Sequence, residues 1–456
     1  MTTIENPMSV PEIDRLFKLM NESTCNFLAV DAMRRLLEEK GFRPLDEGEE
    51  WKIEKGGKYY VVKNGSAIFA FVAGTAPLEE AGLRIVAAHS DSPCFKLKPN
   101  CEIKGDGGVI SLNVEKYGGG IMYTWFDRPL SISGRVMVPG KDALHPRQIL
   151  VDVRKPVATI PHLAIHFNRE VNDGNPLSVQ KDMKPVIGYY SSEELLRLAD
   201  ENNRFKERPG AIRHIIAETL RNQGEDIKPE DIIDYELCLY PAEPVRLIGA
   251  HEEYFQSARI DDLSMAFAGL EAILSECDRE CSATRVLAVF DNEETGSGTK
   301  QGAHSPVLRH IVERICISMS ADPQAQYRAL AKSFMISADD AHAWHPNYND
   351  KYDPTNHPVM GNGPVVKINA NCKYMTDAEG AAVFRLLCEK AGVNAQYFVN
   401  HADVAGGSTL GNISSAQLDV PGVDVGNAIW AMHSAAETAA VSDHLDMIRV
   451  MREFFN

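Results

Sequence analysis

Three apolar runs in this 456-residue chain end on the same kinds of residue. Ile85 to Ala88 leads into His89 and Asp91, Leu287 to Phe290 into Asp291, Glu293 and Glu294, and Phe334 to Ser337 into Asp339, Asp340 and His342. Carboxylates crowded in this way repel one another unless a cation sits among them, and after Phe290 no Lys or Arg follows until Lys300. Either these strand ends are solvated turns, or a metal holds them. Imidazole nitrogen and carboxylate oxygen suit a borderline divalent ion such as zinc, at about 2.0–2.2 Å. Asp261, at the start of a helical pattern, and His433, in AMHSAAE, are further candidates. Two ions about 3.5–4 Å apart need a shared carboxylate and roughly two more ligands each. His89, Asp261, Glu294, Asp339 and His433 match that count. If the backbone stays near-extended at the paired glutamates, Glu293 and Glu294 point to opposite sides. One can then ligate while the other faces the substrate and takes a proton from the attacking water. Taken singly, each residue has an ordinary structural reading as a strand-end histidine, a helix cap or a solvated turn. Their recurrence at successive strand ends argues for one site.

Such a site needs elements that bring the three ends to one edge, and ligands of open α/β sheets bind beyond the carboxyl ends of strands. Strand and helix patterns alternate accordingly. Residues 23–42 read as an amphipathic helix with Gly41 just past its end, and Asn64-Gly65 between two β-rich runs as a hairpin. LRIVAAH is a buried strand, residues 258–276 a helix, RVLAVF a strand, SPVLRHIVERI a helix and SFMIS a strand. TDAEGAAVFRLLCEKAGV is a helix with Thr376 and Glu379 at capping-box spacing, AQYFVN and GVDVGN are strands, and SDHLDMIRVMREFF is a closing helix. The expected fold is α/β, a mixed sheet sandwiched by helices. Between residues 92 and 245 the texture changes to short β-like pieces (GVISLNVEKYGGG, LSISGRVMVPG, HLAIHFNRE) and two short helical patterns, around ELLRLADEN and AIRHIIAETL. The expected organisation is therefore a first part at 1–91, an inserted β-rich domain at 92–245 and a second part at 246–456.

Lys and Arg number 47 against 64 Asp and Glu, a formal charge of −17 with no basic run, which disfavours nucleic acid and anionic membranes as partners. Nine cysteines, an odd count with no C-x-x-C pair, read as reduced thiols. With no signal-like apolar segment at the N-terminus and no run of about 18 apolar residues, a cytoplasmic protein is expected.

AAHSDSPCFKLKP, SARIDDLSMAF, DNEETGS, SADDAHAWHPNY, GGSTLGN and MHSAAE together resemble the successive motifs of the M18 metallopeptidases, the aspartyl aminopeptidase family, from about residue 20 to the C-terminus. The resemblance implies a zinc-exopeptidase-like catalytic domain removing N-terminal residues, acidic ones first, from peptides with a free amine. It implies two divalent ions per subunit, zinc before cobalt or manganese. His89 and Asp339 would hold one, Glu294 and His433 the other, with Asp261 bridging, a cis Asp261–Asp262 peptide, Glu293 as general base and Asp91 orienting His89. It further implies that the insert mediates dimerisation, that dimers assemble into a tetrahedral dodecamer, and that His166, in IPHLAIHFNRE, reaches a neighbouring subunit's site. His345 and Lys373 are substrate-binding candidates. Two departures from the pattern bear on acidic specificity: DVAGG precedes STLGN, and a position expected to be basic is Asn371. Competing readings are a related dinuclear amide hydrolase, a deacylase or carboxypeptidase using Arg259 as a carboxylate anchor, and a non-catalytic assembly or cargo shell.

Overall fold

A computed structural model describes residues 10–191, 193–194, 210–320 and 322–456. The chain divides into two compact units. One comprises the residues up to Ser92, Val245–Met432 and Ala436–Asn456; the other comprises Pro93–Pro244 with His433–Ala435.

In the first unit nine strands form one mixed sheet, in the order Arg43–Pro44, Lys58–Lys63, Ala67–Val72, Thr284–Phe290, Leu83–His89, Phe334–Ala338, Gly422–Gly426, Val365–Ile368 and Gln396–Val399. The fourth to seventh of these run parallel to one another. Every residue of Thr284–Phe290 is buried, as expected of a strand covered on both faces. Because the strands are parallel, their carboxyl ends share one edge. The register sets His89 opposite Phe290 and Ala87 opposite Ser337, so the residues following each apolar run emerge at one level. Gly426 permits the close approach there: a Cβ on it would lie 2.0 Å from the Asp339 carbonyl oxygen.

Helices cover both faces. Pro11–Glu22, Asn26–Glu39, Ile260–Glu276 and Val441–Phe455 bury Met20, Met33, Phe267 and Met451 in one core, and Val307–Met319 and Leu410–Leu418 bury Ile311, Ile315 and Leu410 in another. Arg285, fully buried in its strand, ties two of these helices to the sheet. Its Nε donates to the Phe455 carbonyl at 2.6 Å, and its Nη1 to the carbonyls of Glu276 at 2.5 Å and Arg279 at 3.0 Å. Both helix C-termini thus present partial negative charge to one guanidinium. Removing it would cost roughly 1–3 kcal/mol for each carbonyl left without a donor.

The hairpin forms at Asn64 and Gly65, both left-handed at φ 57 and 70. The N-terminal helix Pro11–Glu22 is an element that the sequence pattern did not reveal. The expected capping box at Thr376 is corrected by one residue. Asp377 is the N-cap, accepting from Gly380 N at 2.8 Å, because the Thr376 hydroxyl is engaged by the backbone N–H of Asp424.

The second unit is built on a six-stranded sheet with antiparallel neighbours throughout, in the order His145–Asp152, Leu130–Asp142, Asp234–Pro241, Cys94–Lys104, Val109–Tyr117 and Val186–Tyr189. The helix Ala211–Asn222 adds Ile212, Ile216 and Leu220 to its core. Here one expectation fails: HLAIHFNRE alternates like a half-buried strand but forms turns, with Leu163, Ile165 and Phe167 exposed by 59, 49 and 81%. His162 anchors the start of this loop instead, donating its backbone N–H to Asp127 Oδ1 at 2.9 Å and placing its Nδ1 2.7 Å from Oδ2. Most of the ELLRLADEN pattern lies outside the described residues. No helix among those described is long and apolar enough to cross a membrane.

Candidate metal centre

Two of the three strand ends, with the start of the helix Ile260–Glu276, build one buried group of ligand atoms. His89, Asp261, Asp262 and Asp339 are all buried, and each offers an atom within 4.8 Å of the others. The His89 ring is oriented by its own loop: Nδ1 lies 3.0 Å from the Asp91 carbonyl oxygen and 3.4 Å from Asp91 Oδ1. A carbonyl only accepts, so Nδ1 carries a proton, which leaves Nε2 as the ring atom available to a metal. Nε2 points to Asp261, 3.5 Å from Oδ1. The His89 backbone N–H donates to Asp262 Oδ2 at 3.0 Å, while the buried Asp262 Oδ1 has no hydrogen-bond partner among the described residues. The Asp261–Asp262 peptide is cis. An oriented imidazole nitrogen among buried carboxylate oxygens is the donor set that zinc takes.

Asp91 also reaches the paired glutamates. Its Oδ1 accepts from Glu293 N at 3.1 Å and its Oδ2 from Glu294 N at 3.2 Å. One carboxylate therefore lies beside the imidazole and holds the glutamate turn. The extended backbone expected at that turn is not found: after a left-handed Asn292, Glu293–Thr295 forms a 3₁₀ turn. Asp291 is no part of the cluster. It accepts from Asn26 Nδ2 at 3.0 Å and Asn292 N at 2.8 Å, and burial, with the Asp91 charge behind it, pushes it up to about 6.

Electrostatics mark the same centre. Burial raises Asp262 and Asp340 well above the carboxylate range, and raises Asp339 against the pull of Lys367. Burial lowers the His89 imidazole, but Asp262, Asp261 and Asp91 outweigh it and hold the ring well above its ordinary value. Glu293 is pushed up to about 8, by burial first, with His89 pulling it down and Asp339 and Glu294 adding to the rise. Burial leads each carboxylate shift and neighbouring carboxylates add to it, and a bound cation would oppose both.

Two residues that the sequence reading gave no role support this group, although one of them, Glu437, closes the motif AMHSAAE. Glu437 Oε2 accepts from the backbone N–H groups of Ile260 at 2.6 Å and Asp261 at 3.2 Å, holding the chain that presents Asp261. Lys367 is 2% exposed, with Nζ 3.6 Å from Asp339 Oδ2 and 3.1 Å from the Asp340 carbonyl oxygen. Its signal was a lysine inside the otherwise apolar strand VVKI.

His433 is left-handed at φ 68, between the strands Ala428–Trp430 and Glu437–Ala440, and is grouped with the second unit, where its carbonyl accepts from Ile121 N at 2.9 Å. His345 turns its Nδ1 to Asn347 N and its ring to Tyr348. Asn371, Lys373 and His166 are exposed. Arg259 donates Nε to the Ser23 carbonyl at 3.1 Å, which engages the anchor that the carboxypeptidase reading needed.

An α/β sheet with a buried histidine–carboxylate cluster along its carboxyl edge has the make-up of a metal-binding enzyme. The chain belongs to the M18 aminopeptidases: the family described as aminopeptidase I zinc metalloprotease (M18) matches residues 19–455. It is 43% identical over 443 residues to a protein of Clostridium novyi (strain NT) described as probable M18 family aminopeptidase 2, covering 97% of this chain and 98% of that one. Among solved structures, one described as the Ape4 and Nbr1 complex shares 35% identity over 97% of this chain and 85% of that one, with a TM-score of 0.92. The S. cerevisiae mApe1 dodecamer, at 24% identity, has the same fold, with a TM-score of 0.83 over 97% of this chain and 95% of that one.

Proposed function

We propose that this chain is a dinuclear aminopeptidase that removes acidic residues, Asp and Glu, from the N-termini of peptides. The observation that carries the reading is the buried group of His89, Asp261 and Asp339 beside Glu293, in a chain of the M18 family. His89 and Asp339 would hold one ion, and Glu294 and His433 the other, with Asp261 shared. An ion held by these residues, zinc before cobalt or manganese, would supply Lewis acidity toward the scissile carbonyl and the attacking water. Glu293 takes the proton of the attacking water and passes it to the leaving amine, a task for a buried carboxylate that faces the cluster and is kept ionised by the cation there. Asp91 holds the Glu293 and Glu294 backbone and the imidazole in mutual register.

Acidic selectivity is supported by Lys367, the buried ammonium beside Asp339, more than by the exposed Lys373. The unit built on Pro93–Pro244 is assigned to dimerisation, with six dimers forming a dodecamer of the kind the S. cerevisiae relative forms. His166 is assigned to a neighbouring subunit's site. The protein would work in the cytoplasm on peptides.

A panel of aminoacyl anilides, with and without N-acetylation, assayed after metal removal and readdition tests this reading. Aspartyl and glutamyl anilides with a free amine should be cleaved only with metal restored. Leucyl substrates better by tenfold or more in kcat/KM would remove the acidic preference, and equal cleavage of acetylated substrates would remove the aminopeptidase reading.

A further inference from the structure

Asp424 lies in the strand Gly422–Gly426 and is completely buried. Both of its carboxylate oxygens are engaged by segments remote in sequence. Thr409 Oγ1 donates to Oδ1 at 2.6 Å, and the backbone N–H of Met375 donates to Oδ2 at 2.6 Å. Its own backbone N–H donates to Thr376 Oγ1 at 2.9 Å.

The two threonines are informative because each stands where a helix begins. Thr409 is the N-cap residue of Leu410–Leu418 yet makes no side-chain cap, and Thr376 precedes Asp377, the N-cap of Ala378–Ala391. A hydroxyl at such a position ordinarily satisfies the first turn of its own helix. Here both are turned to Asp424. Burying a carboxylate among sheet residues is costly unless charge-assisted hydrogen bonds offset it, so the arrangement points to a requirement that the loops meet at this point. Asn412 Nδ2 adds a further link, donating to the Cys372 carbonyl at 3.4 Å.

These loops border the metal centre. The 369–376 loop carries the exposed Asn371, Cys372 and Lys373, and its buried Tyr374 places its ring 5.5 Å from Lys367 Nζ, which lies 3.6 Å from Asp339 Oδ2. Lys367 is also one step along the antiparallel pairing from Val366–Val425, which sets it beside Asp424. The path from the cluster to the loops therefore runs through Lys367, with Asp424 at its base.

We infer that Asp424 is a positioning residue for substrate binding, fixing the 369–376 loop against the start of the Leu410–Leu418 helix so that together they form a wall of the substrate pocket. This rests on the aminopeptidase reading above. Asp424 touches neither substrate nor ligand atoms, so its loss should act on binding and leave the metals and the proton transfer in place.

The test uses the metal-loaded, full-length Asp424→Asn and Thr409→Val variants with aspartyl anilide. In Asp424→Asn the charge is lost and one of the two acceptor oxygens becomes an NH2, so at most one of the two bonds keeps its present acceptor; Thr409→Val removes only the Oγ1 bond and leaves the carboxylate intact. KM should rise about tenfold in the first and about threefold or more in the second, with kcat within about threefold of wild type. Metal content should match wild type, and Thr409→Ser should restore the wild-type KM. An unchanged KM in folded Thr409→Val overturns the inference even if Asp424→Asn does not fold. A fall in kcat accompanied by metal loss at constant KM also overturns it, since Asp424 would then serve the metal centre. If wild type releases no aminoacyl group with any metal, the aminopeptidase reading itself fails; if wild type is active while KM is unmoved in the variants, only the role of Asp424 falls.

Discussion

Asp261 sits where its backbone N–H is held by Glu437 and one of its oxygens faces His89 Nε2. A carboxylate so fixed can serve two ions, so Asp261→Ala should release both metals per subunit, whereas His89→Ala should chiefly weaken one. Elemental analysis after gel filtration decides this, and full occupancy in Asp261→Ala contradicts a shared ligand. His89 and Asp339, which the fold brings into one buried group, stood out in the sequence because each follows an apolar run, whereas Asp261, at a helix start, had an ordinary reading as a cap. Glu437 and Lys367 were passed over. Glu437 acts through backbone N–H groups at Ile260 and Asp261, which only the folded chain brings to it. Lys367 acts through its burial against Asp339 and the Asp340 carbonyl, which spacing does not encode. The paired glutamates were separated on the premise of an extended backbone, and the left-handed Asn292 replaces that with a turn.

The closing helix Val441–Phe455 carries a consequence for pH. His444 on it is fully buried, and burial lowers its pKa to about 4. The unfolded chain takes up a proton near the ordinary value of about 6.5 while the folded one does not, so this contribution to stability is complete above that value and is lost as pH falls toward 4. Between pH 7.5 and 5 the loss should be about 2 kcal/mol. Urea melts of wild type and His444→Phe at the two values check it: the difference between the proteins should narrow or reverse at pH 5, and parallel behaviour would contradict a neutral His444. At this scale the long apolar strands and the helices with a clear apolar face were legible, since period and burial agree, while Pro11–Glu22 and Leu410–Leu418 were not read from the pattern. The residue-163 to residue-167 segment was misread because its alternating apolar residues face outward, and alternation alone carries no direction. The helix start at Asp377 was placed one residue early because Thr376 serves Asp424.

For the whole molecule, exposed apolar residues at Leu163, Ile165 and Phe167 around His166 accord with a surface that another subunit covers. Mixed assemblies of Glu293→Gln and His166→Ala subunits, each inactive alone, should regain activity once exchange is demonstrated. Exchange without recovery would reject action across subunits. The most direct measurement on the account as a whole is metal content together with turnover in Glu293→Gln, with Glu294→Gln beside it. Glu293→Gln should keep its metals near the wild-type level while turnover falls by at least the roughly 10²–10⁴ expected for a lost general base. Glu294→Gln should lose affinity for one ion and regain activity with excess metal. A Glu293→Gln protein whose activity returns on adding metal, beside a fully loaded and inactive Glu294→Gln, would contradict the assignment of base and ligand.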